Sequence, residues 1–292
     1  MIPGSRYLFI HDAQPDPAPL RGDIARQWKE IDRGVEYDFY AAASPEDALR
    51  HVSLYCDLHP GIDTCFVSCG GDCLTAGVAS GLMGAGQGKT LAVYDPGCTN
   101  GLARYYDGRD FGNLAKLLSG DLTSIDMIRV NNSYAVNTCT FGLEGLADGS
   151  GPGLLQSVST VLQRSFLSIR ITADGAPLDT GAVLFMTIAS GKYAPGGLPC
   201  ALHADNDDGK LELCIVRNMP PTRVMKLLTP FIEGRLEDEP SFADDIIRRK
   251  VSSLTVESSK DLTLSADGSP LTGKTFSIRL IPSSVRFVVP AE

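Results

Sequence analysis

No run of this chain is long and apolar enough for a membrane-spanning helix: its longest apolar stretches are strand-sized, far short of the roughly 20 residues a span needs. Met1 to Arg6 leads straight into strand-like sequence without the pattern of a secretory leader, so the reading is a cytoplasmic protein. Basic residues are scarce as well. The 26 Lys and Arg against 35 Asp and Glu leave a net charge of -9, which argues against nucleic acid as a partner because binding a polyanion needs clustered cations. Any phosphate or lipid surface must therefore be met locally. The one basic cluster, Arg248-Arg249-Lys250, follows the acidic runs Glu237-Asp238-Glu239 and Asp244-Asp245; it reads as solvated surface or as a contact for anionic lipid. None of the eight cysteines forms a CxxC pair, and Cys65, Cys69 and Cys73 are spread over a strand and a glycine turn that would point their sulfurs apart. Zinc is not expected. Cys56, Cys139 and Cys214 sit in apolar stretches and read as small core residues of a reduced protein.

At 292 residues with 43% hydrophobic and 21% charged composition, the chain is long enough for two globular domains. Strand-like Arg6 to Ile10, a Pro-rich connection, a helix around Ile24 to Ile31 and a second strand Glu36 to Tyr40 open an α/β pattern. Ser44 offers an N-cap, Pro45 suits the first helical position, and Glu46 and Asp47 complement the dipole of the helix that follows. A third strand ends at Ser68, a short helix spans about Thr75 to Met83, and a fourth strand covers Leu91 to Tyr94. Strands alternating with helices predict a parallel, doubly wound α/β domain over residues 1–123. From about Ser124 strands follow one another: Met127 to Val130, Tyr134 to Thr140, Phe166 to Thr172, Val183 to Ala189, Leu211 to Val216, Val251 to Val256, Leu262 to Ala266, Phe276 to Ile281 and Val285 to Val289. Amphipathic helices interrupt them at Leu154 to Leu162 and Arg223 to Ile232. The prediction for 124–292 is a mainly antiparallel β-sandwich domain, with the C-terminal tail able to return to the first.

The stretch Cys65 to Leu74 is the most informative. An apolar strand empties into Gly70-Gly71-Asp72, where glycines can take φ > 0 and bring backbone N–H groups close to an anion, at the strand edge where open α/β sheets bind ligands. A second such turn, Asp95 to Arg104, follows the next strand and contains Gly97, Cys98, Thr99 and Asn100. Further on, Asp205-Asn206-Asp207-Asp208-Gly209-Lys210 gathers oxygen ligands suited to a hard cation, and Asp267-Gly268-Ser269 forms a hairpin turn. Taken singly, each of these also reads as a solvated turn. Gln87-Gly88-Lys89-Thr90 is not a P-loop, because Met83 stands where its first glycine belongs and a strand follows instead of a helix; Lys89 is expected at a loop surface.

In order, these landmarks resemble the diacylglycerol kinase catalytic-domain family of lipid kinases, which includes sphingosine kinases and is related to NAD kinases. The resemblance spans nearly the whole chain. The family's GGDGT turn falls on Gly70 to Leu74 and its GTxND turn on Gly97 to Gly101. Its glycine-rich stretch falls on Ser190 to Gly197, Pro199, Ala201 and Asp208 to Leu211, and its closing DGE on Asp267 to Ser269. The resemblance implies that Gly70, Gly71, Asp72, Cys73, Leu74, Gly97, Cys98, Thr99 and Asn100 hold ATP. It also implies that Asp205, Asp208 and the backbone of Lys210 hold Mg²⁺, and that Asp72, Asp267 and Ser269 occupy catalytic positions. The implied reaction moves the γ-phosphoryl of ATP onto a lipid hydroxyl at a membrane surface.

The departures are specific. The first-strand NPxxG becomes His11-Asp12-Ala13-Gln14, Cys98 replaces Thr, and Gly101 replaces Asp. Gly77 and Ser80 replace Glu and Asn in the helix after the first turn. Cys73 and Leu74 replace Gly and Thr, although Leu74 matches the sphingosine kinase form. Ser269 holds the place of the Glu that is the base in bacterial diacylglycerol kinases, and a serine hydroxyl is too weak to substitute. Asp72 remains as a candidate base. Three readings follow: an active lipid kinase relying on Asp72, a degenerate lipid- or nucleotide-binding member, and a kinase for a small polar acceptor. The GKYxxGG and DDGxL stretches favour the lipid branch over the last of these. Phe141, Leu143, Leu146 and Phe185 either line an acceptor pocket or belong to the core, and an exposed edge strand could pair two copies as a homodimer.

Overall fold

The computed structural model describes residues 6–14, 17–31, 34, 36–86, 88–143, 166–236 and 239–292. The helix expected over Leu154 to Leu162 and the candidate pocket residue Leu146 lie outside them. The chain divides into two compact units, one of Met1–Ile125 with Ser283–Glu292 and one of Asp126–Pro282.

In the first unit the elements are β1 (Arg6–Asp12), α1 (Ala18–Ile31), β2 (Glu36–Ala42), α2 (Pro45–Leu58), β3 (Thr64–Cys69), α3 (Asp72–Gly81), β4 (Lys89–Val93), α4 (Gly101–Tyr105) and α5 (Leu114–Leu118). The strands are parallel in the order β2-β1-β3-β4. Returning chain adds a further parallel partner where Phe287 aligns with Leu91. Every residue of β3 and β4 is buried, as central strands covered on both faces must be. On one face, Ile24 and Trp28 of α1 and Leu114, Leu117 and Leu118 of α5 pack against Tyr7, Phe9, Cys65, Val67 and Ala92. On the other, Tyr55 of α2 sets its ring edge-on to Phe66 at 5.5 Å. The doubly wound arrangement expected from the alternation is therefore present.

The start of α2 forms as its sequence dictates: Ser44 accepts the Asp47 N–H, with Pro45, Glu46 and Asp47 in the first turn. Helix α3 lies in backbone contact with α2. A Cβ at Gly77 would stand 2.3 Å from the Pro45 carbonyl oxygen, and one at Gly81 would stand 2.7 Å from that of Leu49, so both positions require glycine for space. Lys89 corrects an expectation. It begins β4 and is 5% exposed, with its ammonium donating to the carbonyls of His59 at 2.6 Å and Ile62 at 2.5 Å. A cation suits the carbonyl-rich chain leaving a helix C-terminus.

The second unit begins within β5 (Asp121–Val130) and continues with β6 (Ser133–Ala135), β7 (Thr138–Phe141), β8 (Arg170–Ala173), β9 (Ala176–Leu178), β10 (Val183–Ala189), β11 (Tyr193–Ala194), β12 (Leu198–Pro199), β13 (Leu211–Arg217), α6 (Pro221–Ile232), β14 (Ile246–Val251), β15 (Ser253–Ala266) and the first part of β16 (Ser269–Val289). Its central order is β14-β13-β10-β7-β15-β16, antiparallel throughout. Met186, Ile188, Leu213 and Ile215 enter the core between the strands. On the opposite face, Phe185, Cys214 and Val216 pack under Val224, Leu227 and Phe231 of α6. Phe141, Leu143 and Phe185 are all buried core.

Several strand boundaries differ from expectation, among them β5, which begins at Asp121, and β8, which spans only Arg170–Ala173. Tyr134 to Thr140 is two strands, interrupted at Val136-Asn137 because the amides there turn toward Asp267. Val251 closes β14, a strand not expected from the sequence, while the pairs expected over 251–266 and 276–289 become the long β15 (Ser253–Ala266) and β16 (Ser269–Val289), joined by a hairpin. Strand β14, at the end of its sheet, leaves Arg248, Arg249 and Lys250 exposed, a charged edge of the kind that resists pairing with another strand. Among the described residues no helix is long and apolar enough to cross a membrane.

Candidate functional site

The turn after β3 is the focal point of the first unit. Gly71 is the N-cap residue of α3 and brings no side chain to the helix's first amides, which is the arrangement that receives anions. A Cβ there would meet nothing within 4 Å, so the face is open. Gly70 is the opposite: its Cβ would stand 2.7 Å from Leu74 Cδ2 and 2.8 Å from Asp12 Oδ2. Neither glycine has positive φ, which corrects the conformational reason expected for them. At Gly70 a side chain would crowd the movable ends of Leu74 and Asp12, and Gly71 leaves room for a ligand. Asp72 is 4% exposed and its Oδ1 accepts the Gly101 N–H at 2.8 Å, which ties the first turn to the second.

In the second turn Asp95 accepts the Asn100 N–H at 2.7 Å and the Thr99 hydroxyl at 3.2 Å, while Cys98 sits at φ 51. Asn100 is fully buried. Its Oδ1 caps α4 by accepting from Leu102 and Ala103, and its Nδ2 donates to the Gly70 carbonyl at 3.1 Å and to Thr75 Oγ1 at 2.8 Å. Thr75 is in turn bonded to Ser68 at 2.9 Å. The predicted nucleotide residues therefore separate by exposure. Gly71, Gly97, Cys98 and Thr99 are exposed, Gly70 and Cys73 half-buried, and Leu74 and Asn100 buried; Leu74 and Asn100 shape the turns from behind. Sequence reasoning missed that a single Asn both caps a helix and grips the preceding glycine turn, although an Asn just before a helix is a cap signal.

At the end of β1, His11 and Asp12 stand where the resemblance expects an asparagine-proline loop. His11 is 1% exposed; its Nδ1 donates to the Asp12 carbonyl at 2.8 Å and its Nε2 accepts from Arg21 Nε at 2.9 Å. Burial holds the Asp12 carboxyl above its ordinary pKa.

In the second unit, Asp267 occupies the β15–β16 hairpin at φ 45 and is 1% exposed. Its carboxylate accepts backbone N–H groups of Val136 at 2.5 Å, Asn137 at 3.1 Å and Thr138 at 2.8 Å. Burial pushes its pKa up to about 6 against the opposing pull of those amides. Ser269, at the start of β16, is half-buried.

The acidic turn is crowded. Asp205 and Asp207 share a hydrogen bond, and this contact, burial and the nearby carboxylates Asp205, Asp126 and Asp208 raise the pKa of Asp207. Asp126 Oδ2 accepts the Gly209 N–H at 2.9 Å. Asp208 accepts the Lys210 N–H and is paired with the Lys250 ammonium at 2.8 Å, while Lys210 Nζ donates to Ser252. The crowding of Asp207 is what a hard cation would relieve, so the donor set fits Mg²⁺ in kind. Among the described residues, however, no group of three or more His, Cys, Asp or Glu converges as a preformed metal site.

The first unit carries a parallel sheet with glycine turns at its C-terminal edge, and the second an antiparallel arrangement that matches a sandwich-like domain. Residues 153–289 match the YegS C-terminal NAD kinase beta sandwich-like domain. A probable lipid kinase YegS-like protein of Xanthomonas axonopodis is 24% identical, covering 100% of this chain and 98% of that one. A protein of the same name from Alcanivorax borkumensis is 24% identical, covering 97% and 96%. The crystal structure of a putative diacylglycerol kinase from Bacillus anthracis superposes with a TM-score of 0.77 at 19% identity, over 99% of this chain and 97% of that one. Over its full length the chain is similar to the YegS-like probable lipid kinases, and its second half matches their C-terminal domain.

Proposed function

We propose that this protein transfers the γ-phosphoryl group of ATP to the hydroxyl of a lipid, with diacylglycerol or a related lipid as acceptor. The observation that carries the proposal is the open Gly71 turn at the start of α3, locked to the second turn by Asp72 and Asn100. Phosphoryl transfer depends on positioning and on stabilising charge more than on covalent participation. The turn amides bind phosphate, Asn100 keeps Gly70 and α4 in register, and Asp72 takes the proton of the acceptor hydroxyl on its carboxylate. Mg²⁺ accompanying the nucleotide would offset the phosphate charge that Asp12, Asp72 and Asp95 otherwise oppose. The acceptor is met by a cytoplasmic protein at a membrane surface.

Ser269 favours a second reading, a member that binds nucleotide or lipid without transfer, because the Glu expected there is absent. Purified protein is incubated with labelled ATP, Mg²⁺ and mixed micelles of diacylglycerol, sphingoid or polyprenol lipids, with Asp72→Asn alongside. Labelled lipid that falls at least a hundredfold in Asp72→Asn supports the kinase. ATP binding without labelled lipid selects the second reading, and an Asp72→Asn variant as active as the parent removes the role given to that carboxylate.

A further inference from the structure

Arg21 is the fourth residue of α1, a position where a cation opposes the helix dipole. Helix stability does not explain it. The side chain is nevertheless held firmly at the end of β1. Its Nε donates to His11 Nε2 at 2.9 Å and its guanidinium lies over the Phe39 ring, 5.1 Å from the centroid. His11 is fixed in turn, since a carbonyl can only accept and its Nδ1 must therefore donate to Asp12 O. The ring is then the neutral tautomer with Nε2 as acceptor, which is what Arg21 requires. Stacking uses one face of the guanidinium and His11 uses Nε, so both Nη groups remain as an unused fork. Among the described residues no carboxylate pairs with Arg21.

An arginine oriented by two contacts, partly withdrawn from water and lacking an acidic partner is prepared for a bidentate anion. It stands at the C-terminal edge of the parallel sheet, the edge that also carries the Gly70-Gly71 turn, and beside the segment where the asparagine-proline loop is missing. We propose that Arg21 binds a phosphate group of the nucleotide through its two Nη groups, with His11 and Phe39 as the residues that position it. The proposal rests on the nucleotide-binding reading above and adds the residue that compensates for the lost loop.

The test uses Arg21→Met, which keeps an apolar stem against Phe39, and Arg21→Lys, which keeps charge without the fork. Calorimetric titrations of the full chain compare ATP, ADP, adenosine and inorganic tripolyphosphate. The expected result is a roughly ten- to hundredfold loss of ATP and ADP affinity in Arg21→Met, the range for charge-assisted contacts, with adenosine unchanged and Arg21→Lys intermediate. Unfolding followed through Trp28 should match the parent. ATP affinity in Arg21→Met equal to that of the parent overturns the proposal and leaves the kinase reading standing. Tripolyphosphate binding that depends on Arg21, in a parent that transfers no phosphoryl group, keeps the anion site and removes the kinase. A parent that binds neither ATP nor tripolyphosphate removes both.

Discussion

Replacing Asn100 by Ala would separate a strut from a ligand contact. The side chain is wholly buried and makes four hydrogen bonds, two accepted from the first amides of α4 and two donated, to Gly70 O and Thr75 Oγ1. Losing the cap costs about 1 kcal/mol. Leaving the Gly70 carbonyl and the Thr75 hydroxyl without their donor adds about 1 kcal/mol each, for a total near ~3 kcal/mol. Asn100→Ser keeps a capping oxygen but cannot reach Gly70, so it should recover about 1 kcal/mol of that loss. The single tryptophan, Trp28, lies in the core of the first unit, so its fluorescence in urea reports that unit alone. With a slope of ~2 kcal/mol per molar urea, the midpoint should fall by about 1.5 M for Ala and about 1 M for Ser. An Asn100→Ala protein within about 0.5 kcal/mol of the parent would refute the strut. If that stable protein had also lost ATP binding, Asn100 would be a direct nucleotide contact. A Ser variant no better than Ala would refute the capping account while leaving the grip on Gly70.

Lys89→Met removes a buried ammonium from two carbonyls and should cost about 3 kcal/mol by the same fluorescence measurement; a midpoint unchanged from the parent would return Lys89 to the loop surface. The Asp267 carboxyl has its pKa raised from 3.8 to about 6, so the folded state holds its proton more tightly than the unfolded one. Its contribution is complete below the ordinary pKa, declines by about 3 kcal/mol as pH rises through the folded value, and is flat above. Calorimetric melts of the parent and Asp267→Asn between about pH 4 and 7 should show that slope only in the parent, and equal slopes would assign the pH dependence elsewhere.

What the sequence made readable follows from how local each signal is. The alternation of strands and helices before Ser124 and the run of strands after it are set by short-range hydrophobic periodicity, and the parallel and antiparallel pairings formed as that periodicity requires. Ser44 and Pro45 announced α2 for the same reason. The interruption at Val136-Asn137 was hidden because its cause lies more than a hundred positions away, in the Asp267 carboxylate that draws the amides out of strand pairing. Lys89 was misread because a lysine beside glycines ordinarily marks a surface, and only the fold reveals the carbonyls that bury it. Gly77 shows how motif and packing can be confused. Against the resemblance, its replacement of a family Glu reads as eroded chemistry, yet in the fold no side chain of any kind fits, because the Pro45 carbonyl occupies the space. A Glu there would require α2 and α3 to separate. Its loss is therefore bound to the close packing of those two helices and is not, by itself, evidence that catalysis has lapsed. Ser269 has no such packing explanation, and the case for a non-transferring protein rests on that position.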